Sequence, residues 1–338
     1  MIKEQIEKLL YEGQFPEISH QKKLVETHIS WVIICDEFVY KIKKPVLYSF
    51  LDFSTLELRK HFCEREIELN RRLSQNLYLE VVPVLALNGH YSIGQQEGHI
   101  IDYAVKMRKL NPEKQMDVLL SKNKVSPMDI KNLAKRIADF HGYAKVIYKK
   151  SVLDLKIKFN ELEAEKEFLL ENTDPETCNR IDGAIEKSNF FLNSNTELLE
   201  KRLRWGFFRD CHGDLHTRNI FLLPAPQPFD CIEFNDDYRQ IDVLNEIAFL
   251  CMDLDALHRN DLSNLFIKHY NLLFPVMRNK SESKLFTYYK SYRANVRAKV
   301  NSLRASSSSN QASKASALKE VEKYLKLMEF YINNLNTI

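Results

Sequence analysis

The residues best suited to chemistry lie in the stretch FRDCHGDLHTRNIFLL, positions 208 to 223. Phosphoryl transfer needs a carboxylate that orients or deprotonates the attacking hydroxyl, together with oxygen ligands for Mg²⁺. Asp214 supplies the carboxylate, Asn219 supplies an amide oxygen five residues later, and Gly213 permits a tight turn before the aspartate. The stretch therefore has the residue types that a catalytic loop for phosphoryl transfer would need, and an ordinary polar turn before a strand is the alternative.

A metal at such a loop would need a second carboxylate, and the segment FDCIEF, residues 229–234, offers two candidates. On an ideal strand Asp230 and Glu233 would point to opposite faces, so we expect only one of them to serve. A zinc site made of Cys211, His212 and His216 is the alternative interpretation. It is disfavoured because no CxxC or second His/Cys pair lies nearby to complete it.

The first 108 residues are predicted to form mostly antiparallel sheet with one long internal helix. After an amphipathic first helix, two segments rich in β-branched and aromatic residues predict strands 25–34 and 38–43, joined by the turn CDE. Helical spacing then predicts a helix that Ser54 or Thr55 can cap. Further strand candidates are YLEVVPVLAL, YSIG and HIIDYAVKMRKL.

From about residue 112 the pattern becomes helical, with Ser126 as the cap of the first helix there. A short hairpin, IFLL and FDCIEF around the turn PAPQP, follows the catalytic stretch. The low-complexity segment 305–316 is predicted to be a mobile loop before a last helix. Further predicted helices cover 153–171, 180–203, 242–258, 261–275 and 281–304.

Composition and charge narrow the possible partners and compartment. The net charge is +3 for 338 residues, so we expect neither a nucleic-acid nor a membrane partner. No CxxC pair occurs among the six cysteines, and no stretch approaches the roughly 18 apolar residues of a membrane span. These features predict a cytoplasmic protein with reduced thiols; the oligomeric state stays open.

The sequence CHGDLHTRN, followed by a hairpin and FDCIEFN, resembles the signature of the aminoglycoside phosphotransferase/choline kinase-like family, HGDxxxxN plus a later metal-binding aspartate. The N-terminal stretch resembles a poorly characterised bacterial branch of predicted kinases in that family. The resemblance covers nearly the whole chain. It implies an α+β, bilobal protein-kinase-like fold, with a small β-rich lobe (1–108) and a large, mostly helical lobe with an embedded hairpin (109–338).

The resemblance also implies roles for residues of the catalytic stretch, with ATP and Mg²⁺ as cofactors. His212 would brace the loop, Asp214 would be the catalytic base and Asn219 a Mg²⁺ ligand. The sequence PFD matches the end of the family's metal strand, which favours Asp230 as the second ligand, and Glu233 is the alternative. The implied activity is transfer of the γ-phosphate of ATP to a hydroxyl of a small molecule.

In the first lobe, EFVYKIKK looks like the strand that carries the family's phosphate-binding lysine. Lys41 is the matching residue and Lys43, on the same strand face, is the alternative. Glu66 best matches the acidic partner of that lysine. The first hairpin contains no glycine, so Thr27 and Ser30, with their backbone amides, would have to contact the phosphates.

The nucleotide base would lie against the connection near AVKMRKL, where Met107 to Lys109 would offer backbone hydrogen bonds. This places ATP by position alone and leaves GTP open as well.

For the acceptor, Tyr289, Arg293 and Arg297 recur at fourfold spacing and would form a basic face suited to an anionic small molecule. The alternative is a solvated helix face. Alternative functions for the whole chain are an inactive kinase-fold scaffold, or a protein kinase or nucleotidyltransferase on the same fold.

Overall fold

The computed structural model describes residues 1–48, 50–95 and 97–335. They form two compact units. The first contains 1–119 and 218–239, and the second contains 120–217 and the chain from 240 onward. These units are not the same segments as the predicted lobes, because 109–119 and 218–239 join the first unit.

The strands are named in chain order. They are β1 (Lys23–Glu26), β2 (Ser30–Ile34), β3 (Phe38–Lys43), β4 (Leu47–Tyr48), β5 (Leu51–Asp52), β6 (Tyr78–Leu87), β7 (His90–Ile93), β8 (His99–Arg108), β9 (Phe208–Asp210), β10 (Ile220–Phe221), β11 (Gln227–Pro228) and β12 (Gln240–Asp242).

The α-helices are also named in chain order. They are α1 (Lys3–Glu12), α2 (Leu56–Arg71), α3 (Met116–Ser121), α4 (Pro127–Tyr143), α5 (Asp154–Asn160), α6 (Lys166–Asn172), α7 (Glu176–Ser194), α8 (Thr196–Arg204), α9 (Asp236–Arg239), α10 (Val243–Ala256), α11 (Asn260–Leu273), α12 (Lys280–Ser306) and α13 (Gln311–Asn333).

The first unit is built on an antiparallel sheet with the strand order β1-β2-β3-β8-β6-β7. The predicted single strand 25–34 is wrong, because it is two strands separated by a tight turn. Thr27 closes that turn: its amide donates to the Ser30 carbonyl (2.9 Å), and the Ser30 amide donates to Thr27 Oγ1 (2.9 Å).

The two longer helices of the first unit pack on opposite faces of this sheet. Consecutive strand residues point to opposite faces, and Ala104 packs with the α1 side while Val105 packs with the α2 side. Thr55 caps α2 by accepting a hydrogen bond from the Leu58 amide (3.2 Å), as the sequence predicts. The sheet and α2 thus fix the positions of side chains on β3.

The hairpin after the catalytic stretch is shorter than predicted. Pairing between β10 and β11 ends at Pro228, so the prediction of FDCIEF as a strand is wrong. Asp230 has a φ of 62°, in the left-handed region that interrupts strand geometry. Both carboxylates of this segment are therefore free of the strict alternation that a strand would impose.

The second unit is mainly helical, and nearly every residue of its helix α10 is buried. The predicted helix 153–171 is interrupted by a 3₁₀ turn at Glu161–Glu165, and 180–203 is divided between α7 and α8. The loop predicted at 305–316 is shorter than predicted, because α12 extends to Ser306 and α13 begins at Gln311. Asn310 caps α13 by accepting from the Ser313 amide (3.0 Å).

Within the described part of the chain, no helix combines the length and the hydrophobicity needed to cross a bilayer.

Candidate active site

Two lysines of β3 organise the polar cluster of the first unit. Lys41 and Lys43 are two residues apart, so their side chains lie on the same face of the sheet. Lys41 Nζ donates to Glu66 Oε1 (2.8 Å) and to Asp230 Oδ1 (2.7 Å). Lys43 Nζ donates to Glu66 Oε2 (2.8 Å) and pairs with Glu233. The Glu66 carboxylate thus bridges both lysines, and each lysine holds one carboxylate of the segment after β11.

The two lysine–carboxylate pairs differ in access to solvent. The side chains of Lys41 and Asp230 are 13% and 45% exposed, whereas those of Lys43 and Glu233 are 0% and 4% exposed. Only the first pair can reach a dissolved ligand. The sequence left two alternatives open for the lysine and two for the carboxylate. In the structure they form an accessible pair, Lys41–Asp230, and a buried pair, Lys43–Glu233.

Opposite charges decide the direction of the pKa shift for Lys41 and Glu66, whereas burial decides it for Glu233. Burial lowers the pKa of Lys41, but the carboxylates of Asp230 and Glu66 outweigh it and raise that pKa well above its usual range. Burial raises the pKa of Glu66, yet the ammonium groups of Lys41 and Lys43 outweigh it and lower that pKa. Burial, followed by repulsion from Glu66, raises the pKa of Glu233 despite attraction by Lys43.

The lowered pKa of Glu66 predicts a measurable dependence of stability on pH. A carboxyl group whose folded-state pKa lies below its unfolded value contributes stability above the unfolded pKa, and loses it as pH falls through the folded pKa. We expect Glu66→Gln to destabilise the protein by about 2 kcal/mol at neutral pH, because hydrogen bonds to two charged groups weaken. The difference from wild type should shrink below pH 4.5, the ordinary value for this group.

Urea unfolding of both proteins from neutral pH down to about pH 3.5 measures this difference. Glu64→Gln is the matched control, because Glu64 lies on the same helix with its side chain 56% exposed, and we expect little effect at any pH. A gap between Glu66→Gln and wild type that stays constant over this range would contradict the prediction.

Contacts from α2 and β6 fix the backbone of the segment that carries Asp230. The amide of Asp230 donates to Tyr78 Oη (3.0 Å), and the amide of Cys231 donates to Asn70 Oδ1 (2.9 Å). Ser74 Oγ donates to the Pro228 carbonyl (2.5 Å). The sequence gives no local signal for Asn70, Ser74 or Tyr78, because each contacts a residue more than 150 positions away.

Asn219 ends a 3₁₀ turn, Thr217–Asn219, and is tied to the same segment. Its carbonyl accepts a hydrogen bond from the Phe229 amide (2.9 Å), so the backbone beside Asp230 and the backbone of Asn219 are directly joined. The predicted metal ligands Asn219 and Asp230 are thus brought to one part of the first unit.

The residues predicted to contact the nucleotide make contacts within the first unit, and their roles in binding stay predictions. Thr27 and Ser30 hydrogen-bond each other across the turn between β1 and β2. Met107 lies on the central strand β8, paired with β3 and β6. The Lys109 amide donates to the Glu37 carbonyl (2.7 Å) and its ammonium to the Cys35 carbonyl (2.9 Å). The Lys109 amide is therefore engaged within the unit.

In the second unit, Glu246 holds the backbone of the catalytic stretch. The amides of His212 and Gly213 donate to the two carboxylate oxygens of Glu246 at 2.6 and 2.9 Å. The Asp214 amide donates to His212 Nδ1 (3.3 Å), and the predicted bracing role of His212 stays a prediction. Gly213 has a φ of 89°, a conformation that few other residues adopt, and the chain turns there just before Asp214.

The Asp214 side chain is one-third exposed and carries a negative charge at neutral pH. Its Oδ2 lies 3.3 Å from His216 Nε2. Burial raises the pKa of this carboxyl, but His216 and Arg297 outweigh burial and hold it well below its ordinary value. Asp214 can therefore accept a hydrogen bond from a hydroxyl as a carboxylate.

The predicted acceptor residues on α12 mostly make contacts within the second unit. Tyr289 and Arg293 are 1% and 5% exposed, so the alternative of a solvated face is wrong for them. Arg293 Nη1 donates to the Gly213 carbonyl (3.0 Å), and Tyr289 Oη donates to Asp242 (3.3 Å). The Arg297 guanidinium lies over the Tyr324 ring at 5.3 Å. Their role in binding an acceptor stays a prediction.

Among the residues that the structure describes, the metal-capable group is not the one considered for zinc. His141, Cys211 and Glu246 are buried, with ligand atoms within 4.8 Å of one another. His141 Nδ1 contacts Tyr270 Oη (2.7 Å), and Glu246 already accepts two loop amides. We interpret this group as a brace beneath the catalytic stretch.

The curated relatives found by sequence are uncharacterised mycobacterial proteins. No protein-family model matches the chain. Uncharacterised proteins of Mycobacterium tuberculosis and Mycobacterium bovis are 29% identical to it over 293 residues, which is 85% of this chain. The match covers 56% of each relative, so the chain spans about half the length of the curated relatives it matches.

Similar solved structures are small-molecule kinases. A choline/ethanolamine kinase family protein from Mesorhizobium loti aligns with a TM-score of 0.52 and 11% identity, covering 98% of this chain and 100% of that one. The chain has the fold of these kinases. A choline kinase from Cryptosporidium parvum aligns with a TM-score of 0.50 and 11% identity, covering 94% of this chain and 88% of that one.

The predicted α+β kinase-like fold, and the resemblance to choline kinase-like proteins, are thereby confirmed. A shared fold at this level of identity does not by itself carry an activity.

Proposed function

We propose that this protein is an ATP-dependent phosphotransferase that moves the γ-phosphate to a hydroxyl group of a small molecule. The observation that carries the proposal is the Lys41–Glu66 ion pair at the solvent-accessible edge of the β3 cluster, with Asp230 on the same ammonium. A lysine held extended by a buried glutamate is the arrangement that binds phosphates in kinases. The kinase-like fold agrees with this role.

Lys41, rather than Lys43, is the proposed phosphate ligand. A phosphate can reach Lys41, whereas Lys43 is fully enclosed and held between Glu66 and Glu233. Phosphate oxygens would replace the Asp230 carboxylate on the Lys41 ammonium. That exchange would free the Asp230 carboxylate to bind a metal.

The donor set of the first unit fits Mg²⁺. Asp230 and Asn219 offer oxygen atoms, the donors that this cation prefers. The cluster contains three carboxylates, Glu66, Asp230 and Glu233, against two ammonium groups, so one negative charge is left for a cation. Asp230 and Asn219 would hold the ion, and bound Mg²⁺ neutralises charge on the phosphates.

Asp214 is the proposed group that orients the acceptor hydroxyl. The carboxylate is ionised and partly exposed, and its backbone is held by Glu246 and Arg293. It would accept a hydrogen bond from the hydroxyl and take its proton as the new phosphate ester forms. His212 would keep its bracing role beside Asp214.

The proposed acceptor is a small anionic alcohol. Two of the predicted α12 residues have an unfilled hydrogen-bond capacity, since Arg293 Nη2 and Arg297 Nε have no hydrogen-bond partner. Burial lowers the pKa of Arg297, but Tyr324 and the nearby carboxylates of Asp253 and Asp214 outweigh burial and raise it. An acceptor screen should therefore pair each anionic alcohol with a cationic one of similar size, such as choline.

The first experiment is calorimetric titration of the protein with ATP–Mg²⁺, GTP–Mg²⁺ and metal-free ATP. We expect binding of ATP that tightens when Mg²⁺ is present. Turnover with at least one alcohol in the paired acceptor screen would then support phosphotransfer. Absence of binding to either nucleotide would favour the alternative of a kinase-fold scaffold without activity.

A further inference from the structure

The first unit contains a second lysine–carboxylate pair that nucleotide binding does not explain. Lys43 and Glu233 are enclosed, and neither can contact a dissolved phosphate or metal. Taking two charges out of water is costly unless their mutual attraction and hydrogen bonds compensate for it. The role of this pair therefore depends on which part of the chain it holds in place.

Glu233 lies three residues after Asp230, in a segment without strand pairing. Asp230 itself adopts a left-handed backbone conformation (φ 62°), which is uncommon for residues other than glycine. Such a conformation persists when surrounding contacts over-determine it. The amides of Asp230 and Cys231 have partners in Tyr78 and Asn70, which hold the segment on its N-terminal side.

At the C-terminal end of the segment, Glu233 is held by Lys43 of β3, and the Ile232 carbonyl accepts from Arg239 Nη1 (2.9 Å). Lys43 is itself fixed by Glu66 (2.8 Å), whose other oxygen holds Lys41. The same bridging carboxylate therefore sets the spacing of both lysines. The positions of the two lysines in turn determine where Asp230 and Glu233 form their ion pairs with the sheet.

We propose that Lys43 and Glu233 form a positioning pair that holds Asp230 in the place where it binds the metal. This inference rests on the proposed function, because it assigns Asp230 to a metal that accompanies the nucleotide. Neither Lys43 nor Glu233 contacts the ligand. Their effect passes through the backbone of residues 230–233.

The first test measures the gain in nucleotide affinity that metal provides, as the ratio of Kd for metal-free ATP to Kd for ATP–Mn²⁺. Mn²⁺ bound beside the nucleotide is also observed directly by electron paramagnetic resonance. Changing residues that orient metal ligands typically costs 10–100-fold in metal affinity. We expect Glu233→Gln to reduce the gain about tenfold and to leave the affinity for metal-free ATP unchanged.

Two comparison variants separate positioning from stability. Asp230→Asn should abolish the metal gain outright. Arg59→Met breaks another buried ion pair of the first unit, Arg59–Asp102 (2.8 Å), and should lower the melting temperature without changing the gain. If Glu233→Gln lowers the melting temperature like Arg59→Met and keeps the full metal gain, the pair is only structural and the proposal is wrong.

The second test does not need the nucleotide. Hydrogen exchange of the Asp230 and Cys231 amides reports whether their hydrogen bonds to Tyr78 and Asn70 hold. We expect Glu233→Gln to increase their exchange rates about tenfold and to leave the amides of α2 unchanged. Unchanged exchange would overturn the proposal, even where the protein binds nucleotide.

The two tests also separate this inference from the proposed function. If wild type binds no nucleotide while exchange at Asp230 rises in Glu233→Gln, the pair holds the segment but the assignment of Asp230 to a metal fails. If wild type binds ATP–Mn²⁺ and Glu233→Gln is unchanged in both tests, the proposed function stands and the positioning pair does not.

Discussion

Asp214→Asn should lower turnover by about 10³-fold while the affinity for ATP–Mg²⁺ stays at the wild-type value. The amide keeps the size of the side chain but removes the negative charge that accepts the proton of the acceptor hydroxyl. Nucleotide binding should persist because the proposed phosphate and metal ligands, Lys41 and Asp230, are unchanged. Steady-state kinetics with the best acceptor and calorimetry with ATP–Mg²⁺ measure the two quantities separately.

The variant should also fold, because side chains other than Asp214 hold the backbone of the loop. Its amides are held by Glu246, and its Gly213 carbonyl is held by Arg293. Asp139→Asn is the matched control, since Asp139 lies on α4 of the same unit with its side chain 55% exposed. Wild-type turnover in Asp214→Asn would mean that Asp214 is not the base.

The catalytic stretch could be recognised from the sequence because its members are close together along the chain. Asp214 and Asn219 are five residues apart, and the turn before them needs a glycine, which is a strong local signal. Helix starts were predictable for the same reason. Ser126 caps α4 as expected, and it forms a capping box with Asp129, three residues further on.

The network around Lys41 and Lys43 could be predicted only in part, since its contacts join distant segments. Resemblance selected Lys41, Glu66 and Asp230, but it treated Lys43 and Glu233 as alternatives to them. The structure holds both pairs at once through one bridging carboxylate. The spacing of the lysines along β3 does not reveal which pair is accessible to solvent, because the packing of distant segments buries one pair and not the other.

Two errors had different physical causes. FDCIEF has the composition of a strand, yet side chains of α2 and β6 take up its amides and Asp230 turns into the left-handed region. The segment 305–316 reads as low-complexity polar sequence. However, it borders two long helices that pack against each other, and tertiary contact outweighs the weak local preference of its serines.

Replacing each lysine of β3 by methionine should separate ligand binding from stability. A hydrogen bond to a charged group contributes about 1.5–3 kcal/mol, so Lys41→Met should weaken binding of metal-free ATP by about 10–100-fold. Lys43→Met should leave that affinity unchanged. It should instead destabilise the protein by about 3–5 kcal/mol, because Glu233 would remain buried without its cation.

The destabilisation by Lys43→Met should also grow as pH rises. Without the Lys43 ammonium, burial and the neighbouring Glu66 would raise the pKa of Glu233 further than they do in wild type. A carboxyl group with a raised folded-state pKa binds a proton more readily when folded, so its contribution to stability is lost as pH rises through that pKa. Urea unfolding at several pH values measures this slope, and calorimetry with metal-free ATP measures the affinity.

Both outcomes bear on which lysine binds phosphate. If Lys43→Met lost metal-free ATP binding while its folding was intact, the buried pair would open to ligand and the assignment of Lys41 would be wrong. If Lys41→Met alone lost binding, Lys41 would be the phosphate ligand, and its accessibility would distinguish it from Lys43, the alternative that the sequence left open. Lys44→Met is the matched control, since Lys44 follows directly in the chain and pairs with Glu26, whose side chain is 49% exposed.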